Sequence, residues 1–264
     1  MPPFVRERPG VGRVSLVGAV PGTADLITLR GIERLCRADI CFYDRLVDPA
    51  LLTHLPKSAG RIYVGKDPDG PSWPQPAIDR ALVAAAERGL QVVRLKCGDP
   101  GVFGRGAEEG AALDAAGIPW DIVPGVTAAS AAAAAAGEFL TERAVTESLV
   151  LATGRLRAGD GRPDWAGHMR PGTTLAIYMG VQAAPRIAQA LLEEGVPSHC
   201  SAQVVSRAGM RRERVLRSTI GSLSADLSCA ALPNPAIIFL RWPKDMPAQA
   251  QPISPMSSST AGSM

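Results

Sequence analysis

Residues 91–117 read QVVRLKCGDPGVFGRGAEEGAALDAAG, and the succession of patterns in that stretch decides the fold class. QVVRLK is a mostly apolar run of strand length, CGDPGVFGRG is a Gly- and Pro-rich connection, and GAEEGAALDAAG is helix-forming sequence. A buried strand, a turn at its carboxyl end and a returning helix make the repeating unit of an α/β domain with a mostly parallel sheet. The unit recurs on both sides. Upstream, RVSLVG (13–18) is a strand, followed by the loop AVPGTAD and the helical pattern LITLRGIERLCR. ADICFYD, ending at Asp44, and RIYVGK, ending at Lys66, are further strands before the helix PAIDRALVAAAERG. Downstream, PWDIVPG is a strand that turns at Pro124–Gly125.

The stretch TAASAAAAAAGEFL (127–140) is helix-forming because alanine is the strongest helix former. Scarce aromatics with abundant alanine and glycine predict helices that pack through small side chains. Near residues 141–148 the chain enters a second half, with strands SLVLATG, TTLAIYMG, SAQVVSR and PAIIFLRW and an amphipathic helix QAAPRIAQALLEEG. GRLRAGDGRPDWAGHMRPG is a polar connection between the first two strands. The expected organisation is a flexible N-terminus (1–12), an N-terminal α/β domain (13–140), a C-terminal α/β domain (141–243) and a disordered tail (244–264).

A formal net charge of +3 is too small to indicate nucleic-acid binding and suits an acidic small substrate equally well. The five cysteines have no C-x-x-C pair and the three histidines are scattered, so no metal site is expected. The start has no apolar signal-like stretch and no run reaches membrane-spanning length. The expectation is a cytoplasmic protein with reduced thiols and no membrane or nucleic-acid partner.

In open parallel sheets, ligands bind beyond the carboxyl ends of the strands. Gly18, Pro21 and Gly22 follow the first strand, Asp44 the second and Lys66 the third. Cys97, Gly98 and Asp99 follow the fourth, and Gly125, Val126 and Thr127 the fifth. Each loop alone is ordinary turn material. GAVPG lacks the G-x-G-x-x-G spacing, and neither a P-loop nor a G-x-S-x-G elbow is present. Residue chemistry by itself therefore gives an α/β ligand-binding protein.

Taken together, VSLVGAVPGTADLITLRG, CFYDRLV, YVGK, VVRLKCGDPGVFGRGAEE, IVPGVTAAS, LTER and IYMG resemble the tetrapyrrole methylases, in that family's order, over residues 13–242. YDRLV with VGK and Gln75 points within the family to the uroporphyrinogen-III C-methyltransferases. The resemblance implies two α/β domains, a cleft between them for S-adenosylmethionine, and a homodimer. It implies cofactor contacts at Pro21, Cys97, Gly98, Asp99, Val102, Thr127, Ala128, Met179 and Ala208. Met179 taken alone reads equally as core filler. The implied reaction methylates carbons 2 and 7 of uroporphyrinogen III to give precorrin-2. Asp44 would accept the released proton, and Lys66 would donate a proton or anchor a carboxylate. On residue chemistry alone, Asp44 is also a candidate cap for the next segment and Lys66 a solvated charge. The substrate carries eight carboxylates, which makes Arg45, Arg105, Arg143 and Arg207 candidate anchors.

Four departures from the resemblance are visible. GAVPG has Val20 in place of a glycine, CGD has Cys97 in place of another, and Arg241 stands where a glycine is expected after the final strand. DPDGPSWPQ (67–75) stands where relatives carry an arginine and a histidine. A valine or cysteine at a positive-φ position would be strained. These changes keep open a methylase for a later corrin precursor or another small molecule, and a non-catalytic paralogue that binds cofactor or tetrapyrrole. The weak basic charge disfavours a nucleic-acid methylase.

Overall fold

The computed structural model describes residues 10–19, 22–65, 72–155 and 163–246. Strands β1 (Arg13–Gly18), β2 (Ile40–Tyr43), β3 (Gly60–Tyr63), β4 (Gln91–Lys96) and β5 (Trp120–Val123) form one sheet in the order β3-β2-β4-β1-β5. Every pairing in it is parallel. Helices α1 (Leu29–Cys36), α2 (Gln75–Glu87) and α3 (Gly106–Ala115) make crossovers, and a 3-10 helix spans Pro49–His54. Alternate strand residues face opposite sides. Val17, Cys41, Val93 and Leu95 pack with Leu35 of α1 and Leu51, while Val14, Leu16, Phe42 and Val92 pack with Ile78 and Leu82 of α2 and Leu113 of α3. Both faces are thus covered, as a parallel sheet requires. Asp121 on the edge strand β5 accepts from Ser15, Arg13 and Arg34, which ties that edge to β1 and α1. Burial alone would raise the Asp121 carboxyl, but these donors outweigh it and hold it below its ordinary range.

The second sheet comprises β6 (Ser148–Thr153), β7 (Thr173–Tyr178), β8 (Ser201–Ser206), β9 (Arg214–Thr219) and β10 (Ala236–Trp242), in the order β6-β7-β10-β8-β9. Only β6 and β7 pair in parallel; β10 runs antiparallel to β7 and β8, and β9 antiparallel to β8. The first sheet matches the expected parallel α/β layout, whereas the second is mixed. Sequence patterning missed β9, whose residues are only half-buried and carry arginines at an edge. It also missed α6 (Leu223–Ala230), which buries two residues. The polar connection before β7 supplies Trp165, a fully buried side chain whose indole donates to the Thr153 carbonyl at 3.0 Å.

Trp165, α5 (Ala184–Glu193) and α6 cover one face of this sheet. The alanine-rich helix α4 (Ala128–Ala135) covers the other, setting Ala129, Ala132 and Ala133 against Ala176, Val205, Ile237 and Phe239. α4 follows directly on the first sheet, so its methyl groups hold the two halves together. Beyond α4, Glu138 adds a polar tie, since it pairs with Arg241 at 2.9 Å and accepts from Gln203 at 2.5 Å. Arg241 lies within β10 rather than after it, over the Phe239 ring and paired with Glu138. Among the described residues, no helix is long and apolar enough to cross a membrane and no cluster of metal-ligating side chains occurs. Residues 1–9 of the expected flexible N-terminus and 247–264 of the expected tail lie outside the described residues.

Ala132 is fully buried where helix and sheet meet methyl to methyl. Ala132→Leu is expected to cost about 1–3 kcal/mol through overpacking, read as a lowered thermal unfolding midpoint. An unchanged midpoint would show that α4 does not pack tightly on the second sheet.

Candidate active site

The loops beyond β4 and β5 face the ends of β7, β8 and β10 across a cavity of about 930 Å³. Cys97, Gly98, Asp99, Val102, Thr127 and Ala128 line it from the first half, and Met179 and Ala208 from the second. The sequence expectation thus falls on one surface for these eight residues. Pro21, the ninth, lies outside the described residues, as do Val20 and Lys66.

Backbone makes much of the floor. Gly98 has φ +74°, and a Cβ at Gly125 would run into the Gly98 carbonyl and come within 2.9 Å of Gly18 Cα. Asp99 secures this arrangement by accepting from Gly101 N at 2.7 Å and from Gly125 N at 3.0 Å. The left-handed residue is Gly98; Cys97 is not among the described non-glycine residues with positive φ, so its replacement of a glycine creates no backbone strain. Burial pushes the Cys97 thiol up to about 12; the nearby Asp44 charge adds to the shift and Arg45 opposes it.

Two aromatics were not anticipated. Tyr178, at the end of β7, shares a 2.6 Å hydrogen bond with the Thr127 hydroxyl, and its own hydroxyl accepts from Ala129 N at 3.0 Å. Phe103 stacks on Tyr178 with ring centroids 5.0 Å apart. Both line the cavity. In so aromatic-poor a chain, a tyrosine at a strand end and a phenylalanine in a Gly-rich loop were the available signals. Phe103 and Met179 both have φ near 50°, a left-handed conformation costing about 1–2 kcal/mol that tends to cluster at ligand sites. Met179 is 47% exposed on the cavity, so it is not core filler.

Asp44 begins the loop after β2. Its Oδ1 accepts from Arg94 Nη2 at 2.6 Å, with 28% of the side chain exposed. Capping of the following 3-10 helix belongs to Asp48, whose carboxylate accepts from Ala50 N. Arg94 in turn donates to Glu109 Oε1 at 2.9 Å, and Lys96 to Glu109 Oε2 at 2.7 Å. Arg94, Lys96 and Glu109 are essentially inaccessible, and the sequence reading assigned them no role. Arg94 and Lys96 sit two apart on a buried strand, and two cations on one buried face require buried anions.

The four candidate arginines divide. Arg45 lines the cavity. Arg105 is occupied by a two-point contact to Glu108, at 2.7 and 2.5 Å. Arg143 stands exposed on the segment joining the two sheets, away from the lining. Arg207 lies in a neighbouring recess of about 440 Å³ with Met210, Arg211 and Arg212, and Met210 lines both spaces.

Residues 13–224 match the family model of tetrapyrrole (corrin/porphyrin) methylases. The chain is 45% identical over 231 residues to a siroheme synthase of Gluconacetobacter diazotrophicus, an alignment covering 87% of this chain and 49% of that protein. It spans about half the length of such curated relatives. Among solved structures, it is 36% identical to the uroporphyrin-III C-methyltransferase of Thermus thermophilus complexed with S-adenosylhomocysteine. That match has a TM-score of 0.74 and covers 87% of this chain and 97% of that one. The cobalamin biosynthetic enzyme cobalt precorrin-4 methyltransferase matches with a TM-score of 0.75 at 25% identity, covering 87% of this chain and 95% of that one.

A thiol raised to about 12 is almost wholly protonated near pH 8 and therefore a poor nucleophile. Iodoacetamide at pH 8, followed by peptide mass spectrometry, is expected to label exposed Cys36 and Cys229 well before Cys97. Labelling of Cys97 first would contradict the burial described.

Proposed function

Because this chain belongs to the tetrapyrrole (corrin/porphyrin) methylase family, we propose that it transfers methyl groups from S-adenosylmethionine to carbons 2 and 7 of uroporphyrinogen III, giving precorrin-2. The observation that carries this reading is the shared cavity, with a backbone-lined floor from one half and Met179 and Ala208 from the other. Two α/β domains, 13–140 and 141–243, would meet across it, with α4 as the joint.

The residues present fit the cofactor. Val102, Ala128, Val205 and Ile237 offer an apolar wall suited to a purine, while Asp99 and Thr127 bring polar atoms to the same space. The open backbone at Gly98 lets a ligand approach without a Cβ in the way. S-adenosylmethionine, when bound, supplies a sulfonium-activated methyl group. The chain's own part is to hold the two reactants aligned and dry, which lowers much of the barrier. Asp44 takes the proton that the methylated ring must lose, and Lys66 donates a proton or anchors a carboxylate. Arg45 at the cavity and Arg207 in the adjoining recess face the substrate's acid rim. Arg105 and Arg143 lend this reading less, since neither lines the cavity.

The protein would act in the cytoplasm as a homodimer, for which the largely exposed Leu29 and Phe139 offer apolar surface. Its product would feed sirohaem and cobalamin synthesis, in keeping with the relatives' names. A later corrin precursor is the second reading, favoured by the likeness to cobalt precorrin-4 methyltransferase and by the altered segment 67–75.

Purified protein incubated with S-adenosylmethionine and uroporphyrinogen III is expected to form precorrin-2, seen as its coloured, fluorescent oxidation product. No product despite calorimetric binding of S-adenosylhomocysteine would transfer the assignment to the later corrin precursor. Asp44→Ala is expected to slow turnover about 10²- to 10⁴-fold, the usual range for a lost general base. Affinity for S-adenosylhomocysteine should stay near wild type; its collapse would remove Asp44 from the proton-transfer role.

A further inference from the structure

With uroporphyrinogen III as the occupant of the cavity, the reading on which this rests, we propose that Arg186, Arg207, Arg211 and Arg212 determine specificity. They form a carboxylate-holding wall on the second half that selects a densely acidic rim. The net charge of +3 conceals how unevenly charge is spread. Residues 207–217 carry five arginines and one acid, Glu213, so the remainder of the chain is slightly acidic. Arg207, Arg211 and Arg212 line the recess of about 440 Å³ with Met210, which also lines the main cavity. Arg186 of α5 lines the cavity itself.

Counter-charge is missing where these cations stand. Elsewhere arginines meet acids: Arg13 and Arg34 pair with Asp121, Arg105 with Glu108, and Arg241 with Glu138. Among the described residues, no carboxylate pairs with Arg186, Arg207, Arg211 or Arg212. The recess has no acid in its lining, and Asp99, the acid of the cavity lining, is committed to the amides of Gly101 and Gly125. Glu213 turns its carboxylate to the Gly209 amide at 2.7 Å. Arg186 stands in the first turn of α5, where a cation opposes the helix dipole. Cations gathered against these rules, with no stabilising return, mark a functional position.

The turn that carries three of them is held firmly. Arg207 has φ 54°, a strained left-handed conformation of the kind that clusters at ligand sites. Its amide donates to the Pro235 carbonyl at 2.8 Å and its Nε to the Asn234 carbonyl at 3.4 Å. Met210 N donates to the Arg207 carbonyl at 2.9 Å. From the first half, the Gly22 backbone comes so close that a Cβ there would lie 2.3 Å from the Ala208 carbonyl oxygen. The recess therefore keeps its shape, and it takes acid side arms of a macrocycle seated in the cavity. Guanidinium forks match such carboxylates at two points.

The test is KM for uroporphyrinogen III, measured with kcat and with the salt dependence of KM. Arg211→Gln/Arg212→Gln should raise KM about tenfold, since each exposed ion pair is worth up to about fivefold. Arg186→Gln alone should raise it about threefold. kcat should change less than KM, as for lost uniform binding, and affinity for S-adenosylhomocysteine should hold at the wild-type value. Across double variants at 211 and 212, KM should increase from Arg→Lys through Arg→Gln to Arg→Glu. Wild-type KM should climb with added salt more steeply than that of the glutamine variant. Solvated charges with no role would leave KM and its salt slope unmoved, and that result overturns the proposal. Equal KM shifts for lysine, glutamine and glutamate also overturn it, because they trace to a disturbed turn and not to charge. Should the double variants fail to fold, an unmoved KM in Arg212→Gln is enough. A wild type that binds S-adenosylhomocysteine but forms no precorrin-2 ends the substrate reading and this proposal together. An active wild type beside variants of unmoved KM ends this proposal alone.

Discussion

The loops after β1, β4 and β5 meet backbone to backbone, with no room for a side chain between them. A Cβ at Gly18 would come within 2.5 Å of Gly125 Cα, and one at Gly125 would strike the Gly98 carbonyl. Three parallel strands deliver their carboxyl ends to one place, and glycine lets those ends close up. Asp99 then fastens two of the loops through their amides. Everything in the site depends on this floor, because the residues beside it have their directions set by it. Cys97 and Val102 lie on the tightened loop, and Thr127, which leads into α4, turns its hydroxyl to Tyr178.

The other wall is added by a different kind of contact. α4 carries small apolar side chains, so the helix can lie close on the second sheet and bring Thr127 within reach of Tyr178. The tyrosine hydroxyl satisfies two groups at that junction, and Phe103 braces its ring from the loop after β4. The space between the halves is thus spanned by side chains from each, and its width follows from how near α4 approaches. Glu138 with Arg241 and Gln203 fixes the same approach further along. Arg241 is thereby accommodated by a polar tie.

What could be read from sequence was what repeats. The strand, loop and helix of residues 91–117 announced the parallel sheet, and the Gly-rich strand ends announced the side on which the cavity lies. Eight of the nine cofactor contacts that the resemblance implied line one cavity, and four of them, Cys97, Gly98, Asp99 and Thr127, were also marked by their place at strand ends. Side-chain partnership was less legible. Nothing local separates Asp44, which turns inward to Arg94, from Asp48, which caps the next turn. Nothing local shows which of Glu108 and Glu109 enters the core; one meets Arg105 at the surface and the other is fully buried. β9 escaped because an edge strand with half-exposed residues lacks the run of buried positions that marked its neighbours.

Lys96 links the floor to the buried charges. Its ammonium belongs to the Glu109 network, while its Cε would lie 3.4 Å from a Cβ placed at Gly104, in the loop that lines the cavity. The strand that ends at this floor therefore carries, on its buried face, Lys96, which pairs with Glu109, and Arg94, which pairs with both Glu109 and Asp44. β4 is the central strand, flanked by β2 and β1, and it cannot shift without moving both. One central strand consequently links the cavity floor to the Arg94–Asp44 ion pair. Burying charge on this strand is a poor device for stability, but it ties the cavity floor and the Asp44 carboxylate to one element.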